Sequence, residues 1–272
     1  MNNNTKRDTT PVAPIVMASG GLNPYYSDGM RTIYHGSCDD FWCRFKNELF
    51  DAVVTSPPYN LGVSPYGQFG HWKDGMTRGG NGSWDGVSAG GIEYGEADDA
   101  MPYDLYRKWQ MDVLMQCWRV IRKTGAIFYV HKPRPQRETL WMPLELNPGL
   151  PIRQIVIWDR GSGFNRVPTW YVPTHEWVMV FARQEFRVTT RSVDDVWRIS
   201  PDRGNNHPAP FPVKLAEQAI ASFDCQSVLD PFAGSGTTLV AAKRCGISAV
   251  GFEIDERFCE MAANRLSQGM LF

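Results

Sequence analysis

The sequence predicts a single α/β domain over residues 1–272, built on a mostly parallel sheet with one antiparallel hairpin. Three stretches predict it. Ala52 to Thr55 is a short β-branched run that stops at Pro57-Pro58, where two residues without backbone donors end any pairing. Ser227-Val-Leu-Asp230, a glycine turn, a helix from Thr238 to Arg244 and Ser248 to Glu253 form a strand-turn-helix-strand unit of the kind that builds parallel sheets. Ile152 to Trp158 and His175 to Ala182 are apolar strands joined by an Arg/Gly/aromatic loop, and they are expected to pair antiparallel.

The remaining elements follow in order. Residues 1–20 are polar and aperiodic, a loose arm. Thr32 to Gly36 is a short edge strand, and Ser37-Cys-Asp-Asp40 caps an amphipathic helix from Phe41 to Leu49. Residues 62–101 form a glycine-rich insert, longer than ordinary connections of under about 12 to 15 residues. Its aromatics, among them Tyr66, Trp72 and Trp84, suit a flap that orders on substrate better than a plain linker. Asp104 to Arg122 is an amphipathic helix ended by Lys123-Thr-Gly125, and Ala126 to Val130 is the next buried strand. Phe186 to Thr190 and Val196 to Ile199 have β character. Phe211 to Phe223 is a helix with proline at its start, and Glu256 to Ser267 is the closing helix.

Composition bounds the partners. The apolar runs are strand-sized, so neither a signal peptide nor a membrane span is expected and the chain reads as cytoplasmic. Six cysteines show no Cys-x-x-Cys pair and no clustering with the five histidines, which argues for free thiols and no metal site. The net charge is only −1, but Arg119 to Arg203 carries 14 Lys/Arg against 8 Asp/Glu and leaves the remainder acidic. That arginine-rich, aromatic segment suits phosphates and bases; Arg160, Arg166, Arg187, Arg191 and Arg203 are the candidate DNA contacts, and 159–206 the expected target-recognition region.

The proline-stiffened tip suits one chemistry. An exocyclic amine on cytosine or adenine is a poor nucleophile because its lone pair is delocalised. Acceptors aimed at its protons, here the Ser56 hydroxyl and the Pro57 carbonyl, favour the pyramidal form that attacks a methyl donor, and Tyr59 would stack on the extracted base. The glycine turn is not a dinucleotide site: Gly234-Ser-Gly236 lacks the third glycine, and Asp230 would repel a pyrophosphate. Asp230 instead suits the ammonium of S-adenosylmethionine, and Glu253 a ribose diol.

These residues resemble the bacterial and phage DNA amino-methyltransferases, in the class whose catalytic motif precedes its cofactor motif. Val54-Thr-Ser-Pro-Pro-Tyr59 is similar to the catalytic motif in its serine form, and Asp230-Pro-Phe-Ala-Gly-Ser-Gly-Thr-Thr238 to the S-adenosylmethionine motif. His207 to Pro212 resembles the motif after the recognition region, and Gly251-Phe-Glu-Ile254 the ribose-binding strand. The resemblance implies a Rossmann-like methyltransferase sheet, a flipped base and a catalytic set of Ser56, Pro57, Pro58 and Tyr59. It implies a donor pocket of Asp230, Pro231, Phe232, Gly234, Ser235, Gly236, Thr237, Glu253 and Ile254, with Asp39 substituting for an acid that the family carries after the glycine at position 36. It further implies double-stranded DNA as partner and a bacterial, archaeal or phage-encoded origin, and leaves open a cognate restriction endonuclease and a homodimer. Serine at position 56 implies cytosine N4, with adenine N6 the alternative, then RNA or a protein glutamine. A C5 mechanism is unsupported, because no cysteine follows a proline at a strand end.

Overall fold

The computed structural model describes residues 23–60, 101–136, 139–163, 170–190, 193–202 and 211–268. The arm at 1–20 and nearly all of the insert at 62–101 lie outside them, as does most of the stretch from His207 to Pro212. In chain order the first strands are β1 (Tyr26–Ser27), β2 (Arg31–His35) and β3 (Phe50–Thr55), followed by helix α1 (Tyr103–Val120). Next come β4 (Ile121–His131), β5 (Arg134–Gln136), β6 (Thr139–Trp141), β7 (Ile152–Asp159), β8 (His175–Ala182) and β9 (Val196–Arg198). The chain then runs through α2 (Val213–Ala221), β10 (Ser227–Asp230), α3 (Thr237–Cys245), β11 (Ser248–Glu253) and α4 (Glu256–Ser267).

Among the described residues nine strands form one sheet in the order β1-β2-β11-β10-β3-β4-β8-β7-β9, while β5 and β6 pair separately. The five strands from β2 to β4 in that order are mutually parallel. The expected antiparallel hairpin is β7 with β8, and β8 is also antiparallel to β4, on its other side. Successive residues of each central strand face opposite layers. Ala52, Val54, Phe128, Val228 and Ala249 pack with α2, α3 and α4, whereas Val53, Ile127, Tyr129, Leu229 and Phe252 pack with α1.

This topology positions the site. From β3 the chain crosses through α1 to β4 on one side, and from β10 through α3 to β11 on the other. Because β3 and β10 are neighbours, the two crossovers part between them and leave a crevice beyond the carboxyl ends of that pair. Both the proline tip and the glycine turn leave the sheet at this point.

Four expectations are corrected. Phe41 to Leu49 is not a helix: it holds one short 3₁₀ turn, Trp42–Arg44, which follows another at Cys38–Asp40. The guanidinium of Arg119 claims the carbonyls of Trp42 and Phe45, and Glu48 adopts a left-handed φ of 56°, which breaks helical continuation. The Lys123-Thr-Gly125 stretch does not end α1, which stops at Val120; it belongs to β4. There Arg122 pairs with Asp51 at 2.7 Å, and a Cβ on Gly125 would lie 2.6 Å from the Asp51 carbonyl, so glycine serves close strand contact. Phe186 to Thr190 is not a strand, since the amides of Thr189 and Thr190 bond to Ser222 beyond α2. Finally, β2 is not the sheet edge, because β1 covers it.

Candidate active site

The glycine turn and the proline tip are tied together by Asp230. Its Oδ1 accepts from the Thr55 hydroxyl at 2.7 Å and from the Phe232 amide at 3.1 Å, and its Oδ2 accepts from the Thr238 hydroxyl at 2.6 Å. Thr238 also reaches the Val54 carbonyl at 3.1 Å, so the end of β3, the end of β10 and the start of α3 share one buried knot. Asp230 was expected to meet a ligand ammonium. Its carboxylate is 1% exposed and faces three internal donors, so it fixes the backbone around the turn instead. Burial pushes this acid up to about 6, with the three hydrogen bonds opposing the shift.

Beyond Asp230, the turn is shaped by left-handed glycines, Gly234 at φ 50° and Gly236 at φ 78°. A Cβ on Gly236 would lie 2.7 Å from the Ala262 Cβ, so the helix α4 seats directly against the turn. Glu253, at the end of β11, accepts from the Gly234 amide at 2.7 Å and from the Asp255 amide at 2.9 Å. Burial pushes its carboxyl up to about 7 while those two N–H groups pull the other way.

The other expected cofactor residues divide. Phe232 is half-buried at the crevice with its ring 5.4 Å from that of Trp109, whose indole N–H donates to Asp39 at 2.9 Å. Asp39 is therefore linked to Phe232 through Trp109. The Gly36 amide donates to the Glu253 carbonyl at 2.8 Å and His35 donates to the Ile254 carbonyl at 2.9 Å, which brings the turn after β2 alongside. Pro231 is buried behind Phe232. The side chains of Ser235 and Thr237 turn away to Arg265 of α4, which also holds the Ser235 carbonyl at 2.6 Å. No local motif marks Arg265, whose partner lies 30 residues away.

At the tip, Ser56 and Pro58 are half-buried and Pro57 is buried. The Pro58 carbonyl accepts from the Tyr106 hydroxyl at 2.8 Å, and Arg134 donates to the Tyr59 carbonyl. Tyr59 stacks on His131 with ring centroids 4.2 Å apart and planes inclined by 22°. His131 Nδ1 accepts from the Lys132 amide, so Nε2 donates to the Tyr106 hydroxyl at 3.1 Å. Burial, with Arg134 and Lys132 nearby, holds this imidazole well below its ordinary range, and the neutral ring acts as a wedge behind Tyr59. The Lys132 ammonium sits 5.5 Å from the Tyr59 ring centroid. The Ser56 hydroxyl donates to Tyr59 Oη at 3.2 Å, and Tyr59 Oη donates to Glu176 Oε2 at 2.9 Å.

Two of the expected phosphate-facing arginines are elsewhere. Arg160 is in a part-buried ion pair with Glu176 at 3.1 Å and donates to the Pro173 carbonyl, so its guanidinium is committed to partners within the protein. Arg187 follows β8, which runs against β4 and returns the chain to the edge where β3 and β10 begin, away from the tip. Arg166, Arg191 and Arg203 lie outside the described residues. Within the expected recognition region at 159–206, β8 is an interior strand of the sheet, between β4 and β7. Among the described residues no group of three or more His, Cys, Asp or Glu side chains could hold a metal ion, and no helix is long and apolar enough to cross a membrane.

Known proteins resemble this chain across the site. A family model described as DNA methylase, of the N6/N4 methyltransferase type, matches residues 50–264, a span that includes both the tip and the glycine turn. The type II methyltransferase M.HpaI of Haemophilus parainfluenzae is 26% identical over 82% of this chain and 70% of its own length. The DNA adenine methyltransferase YhdJ of Escherichia coli (strain K12) is 22% identical over 92% of this chain and 87% of its own. Among solved structures, the cytosine-N4-specific PvuII DNA methyltransferase shares the fold with a TM-score of 0.67 at 16% identity, over 93% of this chain and 92% of that one. With most of its length matched and both motifs at one crevice, the chain belongs to the N6/N4 DNA methylase family.

Proposed function

We propose that the protein moves the methyl group of S-adenosylmethionine to the exocyclic N4 amine of a cytosine flipped out of duplex DNA, directly and without a covalent intermediate. The observation that carries the reading is the Ser56 hydroxyl. Its proton is committed to Tyr59 at 3.2 Å, so its lone pairs are left, with the Pro57 carbonyl, as acceptors for the amine at the end of β3. In this reading S-adenosylmethionine supplies an electrophilic methyl group, held over the glycine turn with its ribose on Glu253 and its adenine near Phe232. Asp230 shapes that pocket through the backbone, while Ser235 and Thr237 brace it through Arg265. Tyr59 presents its ring to the base, with His131 behind it. Recognition of the DNA sequence then falls to the loops around β7 to β9 and to the insert.

Adenine N6 is the second reading, and a specific observation favours it: relatives of this chain include a DNA adenine methyltransferase. Both amines present the same chemistry to a serine and a carbonyl. Serine where the resemblance gives adenine enzymes Asp or Asn supports cytosine. Single-molecule sequencing of DNA from cells expressing the protein decides the matter. The proposal expects N4-methylcytosine within one short motif; N6-methyladenine at that motif would replace it with the second reading, and unmodified DNA would reject both.

A further inference from the structure

The tip is wired to an ion pair that neither motif contains. Ser56 Oγ donates to Tyr59 Oη at 3.2 Å, Tyr59 Oη donates to Glu176 Oε2 at 2.9 Å, and Arg160 holds Glu176 Oε1 at 3.1 Å. The β7–β8 hairpin builds this ion pair, since Trp158 and Asp159 lie opposite Glu176 and His175. Glu176 is 7% exposed, which keeps the carboxylate out of water and fixes its partners.

We propose that Glu176 is a positioning residue for methyl transfer, which orients the Ser56 hydroxyl through Tyr59 and receives the proton that the amine releases. This inference rests on the amine-methylating function proposed above. A carboxylate has no proton to give, so it sets the direction of the whole chain. Tyr59 must donate to Glu176, Ser56 must donate to Tyr59, and only acceptor lone pairs of Ser56 remain for the amine. Without the anion, the serine proton can turn toward the base and compete with the amine protons.

The step balances. The amine nitrogen forms a bond to the methyl carbon as the carbon–sulfur bond breaks, and its electron pair neutralises the sulfonium to a thioether. The nitrogen then gives one proton to Ser56 Oγ, Ser56 passes its own to Tyr59, and Tyr59 passes its own to Glu176. The acid ends neutral, the methylated amine ends neutral, and the proton returns to solvent after the product leaves. Arg160 keeps the carboxylate in register throughout.

Three variants test the relay: Tyr59→Phe, which removes one oxygen and keeps the ring, Glu176→Gln, and the two combined. In Glu176→Gln the amide oxygen is drawn to Arg160, so its NH₂ faces Tyr59 and reverses the chain. Single-turnover methylation of duplex DNA is expected to slow at least tenfold in each single variant, with S-adenosylmethionine affinity by calorimetry and KM for DNA within twofold of wild type. The double variant should be no slower than the slower single, because both cut one path. Losses that multiply would overturn the relay, as would a wild-type rate in Tyr59→Phe, which decides alone if Glu176→Gln fails to fold. Wild-type turnover is read first: its absence removes the function on which the relay rests, whereas turnover with unaffected variants removes the relay alone.

Discussion

Replacing Asp230 by Asn is expected to stabilise the ligand-free protein at pH 8 and to leave its stability unchanged near pH 4. In the fold this acid is pushed up to about 6 from an ordinary 3.8. A carboxyl raised by folding contributes stability that is fully present below its unfolded value and is lost as pH rises through its folded value. The loss across that window, about 3.8 to 6, comes to about 3 kcal/mol, since each tenfold change in proton affinity is worth about 1.4 kcal/mol. Asn avoids the loss because it has no charge to desolvate. Its oxygen can take the two donors now on Oδ1, Thr55 and Phe232, and its NH₂ can face the Thr238 hydroxyl, which still donates to the Val54 carbonyl. Urea unfolding of both proteins at pH 8 and at pH 4 measures the difference, and other acids cancel because they are common to the two. A variant less stable than wild type by the same amount at both pH values would refute the reasoning. It would mean that three hydrogen bonds to the ion outweigh its burial.

Further outcomes follow from the same geometry. Tyr59→Ala should abolish methylation while calorimetry still finds S-adenosylmethionine bound, since the ring belongs to the tip and not to the glycine turn; joint loss of both would assign it a structural role. Gly236→Ala should cost ~2–4 kcal/mol, from a left-handed backbone and a Cβ driven into α4, and thermal melting should fall by about 5 °C or more. Glu253 is pushed up to about 7, so it is the neutral carboxyl that accumulates as pH falls below that value. In the proposed site a ribose diol donates to the ion, so affinity for S-adenosylmethionine should weaken about tenfold from pH 8 to pH 6. Titration calorimetry at the two pH values checks this, and an unchanged affinity would remove the ribose from Glu253.

Local chemistry made much of the fold readable. A β-branched run cut by two prolines ends within a residue of where β3 ends, and the strands and helices from Phe211 onward follow the pattern of turn glycines and apolar spacing. The failures share a cause, which is a partner far away in the chain. Nothing near Phe41 announces that Arg119 will take its neighbours' carbonyls, and nothing near Gly125 announces the Asp51 backbone beside it. The site divides in the same way. Ser56, Pro57 and the glycine turn are local motifs. Glu176, by contrast, reaches Tyr59 across 117 positions, and Arg160 looked like a surface cation because its ion pair forms only when β7 and β8 align. Asp230 was assigned a ligand because its charge suits a cation; its own donors are the Thr55 hydroxyl, 175 positions away, and the Thr238 hydroxyl, and the first reaches it only in the folded sheet.

The most direct test uses S-adenosylmethionine carrying three deuterium atoms on its methyl group. Purified protein is incubated with unmethylated duplex DNA, the DNA is digested to nucleosides, and mass spectrometry locates the label. Transfer at the proline tip predicts N4-methylcytosine with all three deuterium atoms retained, abolished by Tyr59→Ala. Label on a ring carbon, or turnover undiminished in that variant, would contradict it.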